Sequence, residues 1–263
     1  LPAKGRYTMK IPPLLALCTL LALPSTQAAE ICTVISDTAS GKPLLERGDC
    51  RTRVTPASTF KIAISLMGYD AGFLKDAHAP SLPYRPGYVD WQPAWRQPTD
   101  PEKWMRDSVV WYSQQVTLAL GAGRFQAYVR QFGYGNANVA GDAEHDGLTL
   151  SWIGSSLQIS PREQIDFLGR LVRRELGVSA HAYAMTAALT RFGTVAGWEL
   201  HGKTGASSGW GWYVGWVSRG GRTLAFARLV RKDDTQPEGM STGAWARDGL
   251  LAEFPSLLRE VAP

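Results

Sequence analysis

The segment from Trp198 to Val230 restricts the fold more than any other, because it reads as three strands joined by short turns. Trp198–Gly205 is the first strand, Gly211–Ser218 the second, with aromatics at Trp212 and Trp216, and Thr223–Val230 the third. The turn Arg219-Gly220-Gly221-Arg222 leaves no room for a crossover, so its flanking strands must be antiparallel neighbours in a meander. Near the start, Ile31–Ser36 reads as a strand, Asp37–Lys42 as a turn and residues 43–47 as a returning strand. Joined to the meander, these make one antiparallel sheet flanked by helices. This is an α/β (α+β) arrangement with a largely helical subdomain inserted between the two halves of the sheet. The expected division is a sheet region of residues 29–60 and about 191–263 and a mainly helical region of about 61–190, within a single domain of residues 29–263.

The inserted part is punctuated clearly. An apolar run after Pro56 predicts a helix over residues 58–67. Prolines 80, 83, 86, 93, 98 and 101 break residues 76–104, yet Trp91, Trp95 and Trp104 lie in the same stretch. A disordered segment is poor in aromatics, so this one reads as ordered loop or short helices. Helices are expected over Met105–Leu120, ended by Gly121-Ala122-Gly123, and over Arg124–Phe132, stopped at Gly133. Gly135–Gly147 is turn-rich. A further helix spans Pro161–Leu176, with Ser160 as its cap and Glu163 as the capping-box partner. His181–Thr190 and a closing helix that opens over Thr242–Leu250 complete the pattern.

Residues 1–28 stand apart. Met9-Lys10 is followed by a 13-residue hydrophobic region from Ile11 to Leu23 and then by Pro24-Ser25-Thr26-Gln27-Ala28-Ala29, the order of a secretory signal. Thirteen residues are too few to span a bilayer, so stable membrane insertion is not expected. Cleavage is expected after Ala28, with Ala29 as the alternative, and residues 1–8 precede the start methionine as upstream sequence. Export places the protein in the periplasm if the host is Gram-negative. Removing the segment takes Lys4, Arg6 and Lys10 with it, leaving 25 basic residues against 23 acidic ones. No basic block reads as a nucleic-acid stripe, and Arg170, Arg173 and Arg174 read as a solvated helix face. Cys18 leaves with the signal. Cys32 and Cys50 remain, as a disulfide suited to an exported protein or as two buried thiols. The four histidines show no ligand spacing, and no metal is expected.

The chemistry centres on Pro56-Ala57-Ser58-Thr59-Phe60-Lys61, which sets a hydroxyl and an amine three residues apart on one helical face. Serine is a poor nucleophile without an adjacent base. A lysine in an apolar setting can lose its proton and act as that base. Alone the pair is weak, since Ser-x-x-Lys arises by chance and serine at a helix start is ordinarily a cap. Three other elements add to it. Ser108-Val109-Val110 lies in an apolar helical or turn region and offers a hydroxyl for proton transfer. Lys203-Thr204-Gly205 ends a strand with a cation, a hydroxyl and a glycine. Gly133-Tyr134-Gly135-Asn136 sets a phenol and an amide between glycines. Ser-x-x-Lys together with Lys-Thr-Gly is the pattern of serine β-lactamases and penicillin-binding proteins.

The chain resembles the class D serine β-lactamases, the oxacillinases, over essentially all of its mature length. Ser58 and Lys61 match the family's nucleophile motif, Ser108-x-Val110 its second, Tyr134-Gly135-Asn136 its third and Lys203-Thr204-Gly205 its fourth. Trp152 falls where the family sets a tryptophan beside the lysine, and Arg247, 44 residues after Lys203, where it sets an arginine for the substrate carboxylate. The resemblance implies a β-lactamase/penicillin-binding-protein-like fold and hydrolysis of penicillin-type β-lactams through a serine acyl-enzyme. It implies Ser58, Lys61, Ser108 and Lys203 as catalytic groups, and Thr204, Gly205, Ala206 and Arg247 as substrate-binding ones. Ala206 would share the oxyanion site with the backbone of Ser58. Val110 and Trp152 would line the lysine pocket or serve as plain core, Tyr134 and Asn136 would support the site, and Ser113 would be a helix-face bystander. Valines at 109 and 110, where class A enzymes carry Asp and Asn, favour a dry pocket in which a neutral Lys61 is modified to N6-carboxylysine. No cofactor beyond carbon dioxide or bicarbonate is implied. A homodimer is compatible with the family. The alternative activity is that of a β-lactam sensor or penicillin-binding protein, which acylates without rapid hydrolysis.

Overall fold

The structure, a computed structural model, describes residues 29–262; the expected signal segment and its cleavage site lie outside them. Six strands form one antiparallel sheet: β1 (Ala29–Asp37), β2 (Pro43–Gly48), β3 (Arg191–Val195), β4 (Trp198–Ala206), β5 (Trp210–Arg219) and β6 (Arg222–Arg231). Their order is β2-β1-β6-β5-β4-β3, so the N-terminal hairpin joins the meander through the pairing of β1 with β6. The β1–β2 turn is tied by the Asp37 carboxylate, which accepts from the backbone of Ala39 and Ser40. Pairing of Cys32 with Gly48 in that hairpin brings Cys50 within reach, and the two cysteines form a disulfide with Cα atoms 5.1 Å apart.

The central strands are apolar on both faces because each face is covered. Tyr213, Val217, Phe226 and Val230 pack on Trp245, Leu250, Phe254 and Leu257 of the last helix, α7 (Thr242–Val261). Trp212, Val214, Trp216, Ala227 and Leu229 face the inserted region and share one core with its helices. Those helices are α1 (Lys61–Asp70), α2 (Pro101–Asp107), α3 (Val110–Gln131), α4 (Gly147–Gly154), α5 (Pro161–Val172) and α6 (Ala180–Thr190). Among the described residues, no helix is long and apolar enough to cross a membrane.

Several local expectations change. The helix expected over 105–120 is two pieces. α2 starts four residues earlier, capped by Asp100 with Pro101 in its first turn, and ends at Ser108, whose φ of 59° is left-handed. α3 then begins at Val110 and breaks at Gly121, where φ is 74°. β3 and α4 were not expected, and α5 stops at Val172 instead of Leu176. The Ser160–Glu163 capping box is formed as expected. Arg173 and Arg174 are exposed, as expected, but Arg170 is partly buried. Arg170 donates to the carbonyls of Phe132 and Gln131, where α3 leaves its last acceptors open, and Arg173 donates to Thr38 O. Ser113 is fully buried and accepts from the Trp104 indole at 2.8 Å, a packing contact between α2 and α3.

The disulfide closes a loop of 18-residue separation. Reduction, or the double change Cys32→Ser and Cys50→Ser, is expected to lower the unfolding free energy by about 3 kcal/mol in denaturant titrations.

Candidate active site

Ser58 lies in a 3₁₀ turn, Ala57–Phe60, that runs directly into α1 at Lys61. Ala57 has φ 49°, so the residue before the serine is held in the left-handed region that side chains disfavour. Contacts from three directions hold it there. Both the Trp210 and Trp212 indoles donate to Thr55 O, at 3.1 and 3.0 Å. Buried Gln164 of α5 donates to Thr59 Oγ1, which in turn donates to Pro56 O. Strand β4 presses on the turn so closely that a Cβ on Gly205 would lie 2.8 Å from Pro56 O. The glycine of Lys-Thr-Gly is thus required by backbone approach.

The Lys61 amine is completely buried and donates to Ser58 Oγ at 3.0 Å. Burial, and then the nearby Lys203 charge, hold its pKa well below the usual lysine value. Phe60, Val110 and Trp152 belong to the large apolar core that the helices share. The Trp152 ring packs 5.6 Å from that of Phe60, and its indole N–H is buried with no hydrogen-bond partner. An unpaired buried donor costs on the order of 1–3 kcal/mol.

Lys203, on β4, forms the second amine–hydroxyl pair. Its Nζ donates to Ser108 Oγ and to Thr204 O, both at 3.0 Å. The left-handed link at Ser108 directs this hydroxyl toward the sheet; a continuous helix would not place it there. Lys203 is 5% exposed, and burial, assisted by Arg247, lowers its pKa to about 7. Lys203, Thr204 and Arg247 line one cleft of about 140 Å³ together with Met105, Phe192 and Tyr213. Arg247 contacts Asp248 at 2.7 Å and lies 5.5 Å from the Phe192 ring. Ala206, at the exposed end of β4, follows Gly205 along the same edge.

Tyr134 and Asn136 sit apart from this cleft. Tyr134 is fully buried between Phe60 and Phe167, at centroid distances of 4.9 and 5.0 Å. Burial pushes its ionisation upward, away from a base. Asn136 donates to Ser156 O and accepts from the backbone of Asn138 and Gln158, stitching its loop to the end of α4. The motif reading did not find Thr55, Trp210, Gln164 or Tyr213. Residues 210 and 212 share one strand face by their spacing of two, but nothing in the sequence names the carbonyl they meet.

A family model described as the penicillin-binding protein transpeptidase domain matches residues 31–250. The chain is 42% identical to β-lactamase OXA-9 of Klebsiella pneumoniae over 86% of this chain and 88% of that one. It belongs to the class D β-lactamases. β-Lactamase OXA-1 of Escherichia coli is 33% identical, over 80% of this chain and 79% of its own. The crystal structure of the class D β-lactamase OXA-427 superposes with a TM-score of 0.83 at 43% identity, covering 88% and 99% of the two chains. The sheet and the helices packed on it are therefore those of a class D β-lactamase fold.

The two buried amines make stability depend on pH. A lysine whose folded pKa is depressed binds fewer protons when folded than when unfolded, so stability rises with pH between the two values. For Lys203 that window runs from about 7 to the unperturbed 10.5. Wild-type unfolding free energy is expected to climb between about pH 7.5 and 9.5, and Lys203→Met should show a shallower slope in denaturant titrations over that range.

Proposed function

We propose that this class D β-lactamase hydrolyses penicillin-type β-lactams through an acyl-enzyme on Ser58, with Lys61 as the seat of the general base. The observation that carries the reading is the pair of buried amine–hydroxyl contacts at 3.0 Å, Lys61–Ser58 and Lys203–Ser108, on facing elements. Ser58 Oγ attacks the lactam carbonyl carbon as its proton leaves toward Lys61. The negative oxygen is held by the backbone N–H groups of Ser58 and Ala206. As the C–N bond breaks, Ser108 passes a proton to the leaving nitrogen, and Lys203 beside it lowers the cost of that transfer. The substrate carboxylate binds Thr204, Lys203 and Arg247. Water then attacks the ester, freeing Ser58 and the ring-opened acid.

One base must serve both halves, and Lys61 suits modification by carbon dioxide. Only a neutral amine reacts with it, and burial favours the neutral form. The unpartnered Trp152 indole N–H provides a donor for the oxygens such a group would bring. Carboxylated, Lys61 supplies an anionic general base. The Cys32–Cys50 disulfide supports export to an oxidising compartment.

Purified protein should turn over a penicillin many times at pH 7.5, faster with added bicarbonate, above all after acid exposure and return to neutrality. Ser58→Ala should abolish acylation, and Trp152→Phe should raise the bicarbonate needed for half-maximal rate by about tenfold or more. A single stoichiometric burst ending in a stable Ser58 adduct would assign the chain a sensor or transpeptidase role instead.

A further inference from the structure

The Tyr213 phenol is 1% exposed, its hydroxyl has no hydrogen-bond partner, and the residue lines the cleft that holds Thr204 and Arg247. Buried hydroxyls nearly always find a partner inside the protein, and one left open beside a ligand cleft needs a reason. Strand geometry places it there. Tyr213 is the cross-strand neighbour of Thr204, and alternation along β4 puts Leu200, Gly202 and Thr204 on the face covered by α7, opposite Lys203. The phenol crosses Gly202 so closely that a Cβ there would lie 2.6 Å from its hydroxyl oxygen. Glycine at 202 thus makes the space that lets the hydroxyl reach the cleft. Its ring lies 6.5 Å from that of half-exposed Phe192, over which Arg247 sits. Burial raises the phenol's pKa despite the nearby Arg247 charge, so it is protonated at any working pH and can only donate to an anion.

We propose that the Tyr213 hydroxyl is a further donor to the substrate carboxylate, completing a site whose other members are Thr204, Lys203 and the Arg247 guanidinium. A carboxylate competes with Asp248 for Arg247 in the same cleft that Tyr213 lines. The inference rests on the β-lactam-hydrolysing reading above and deepens it. It assigns this pocket to substrates whose ring carboxylate is free and ionised, and it makes Tyr213 a selectivity determinant against those whose carboxylate is masked.

The test is Tyr213→Phe, which keeps the ring and removes the oxygen. With penicillin as substrate, KM is expected to rise about tenfold with kcat within about twofold, the loss of one hydrogen bond to a charged acceptor. The methyl ester of the same penicillin should show no such difference between wild type and variant. The thermal midpoint should be unchanged or higher, because the variant no longer buries an unpaired hydroxyl. A merely structural tyrosine would instead lower the midpoint and affect acid and ester alike. Unchanged KM for the acid, or an equal loss on acid and ester, would overturn the proposal. A wild-type protein that neither acylates nor turns over penicillin would overturn the functional reading and this inference with it. An active wild type with an unaffected variant overturns the inference alone.

Discussion

Two lysine amines buried within reach of each other impose the main constraint on this structure. Lys61 is fully buried and Lys203 5% exposed, and the charge of one depresses the pKa of the other. Folding must offset their desolvation elsewhere, and it does so with aromatic mass. Phe60, Trp152, Tyr134, Phe125 and Phe167 interlock around the nucleophile turn. The same packing that makes the charged forms costly makes the amines useful, since a neutral amine is the form that takes a proton or reacts with carbon dioxide.

The site exists only where two parts of the chain meet. Ser58 and Lys61 open the helical region, whereas Lys203 and Gly205 belong to the sheet some 140 residues later. The indoles at 210 and 212, both donating to Thr55 O, tie the sheet to the strand-like approach of the nucleophile turn. Gln164 of α5 secures the same turn from the opposite side. Ala57 in a left-handed conformation is the strain this bracing must hold, as expected for a residue fixed next to a reacting group.

The meander, the hairpin and the capped helix α5 were legible because each rests on local chemistry: period-two apolar residues, turn glycines and a Ser-x-x-Glu box. The catalytic pairs were legible as motifs, but motif spacing carries no distance. What stayed hidden depends on tertiary partners. The break at Ser108 could not be read from an apolar run, because a non-glycine residue at φ 59° is stabilised by its surroundings and not by its own preference. β3 is only five residues long and mostly exposed, so it lacks an apolar signal of its own and is defined by pairing with β4. Arg170 resembled a solvated face because its acceptors are carbonyls of a distant segment, invisible to any helical pattern.

Strand alternation explains how one short motif serves two different environments. Lys203 points to the dry helical side, where it meets Ser108, while Thr204 points to the side covered by α7, near Arg247 and Tyr213. Lys203 thereby reaches Ser108 from a buried position in which its amine can be neutral, while still bordering the cleft. Thr204 adds its hydroxyl to the same cleft from the other face, beside the Arg247 guanidinium. A single-residue slip in β4 would exchange the two faces and take the lysine away from Ser108. The register of β4 against β5, Lys203 opposite Val214 and Thr204 opposite Tyr213, is therefore as much a part of the site as the side chains it carries. It also explains why the third residue of the motif must be glycine, since the same strand has to close on the Ser58 turn at backbone distance.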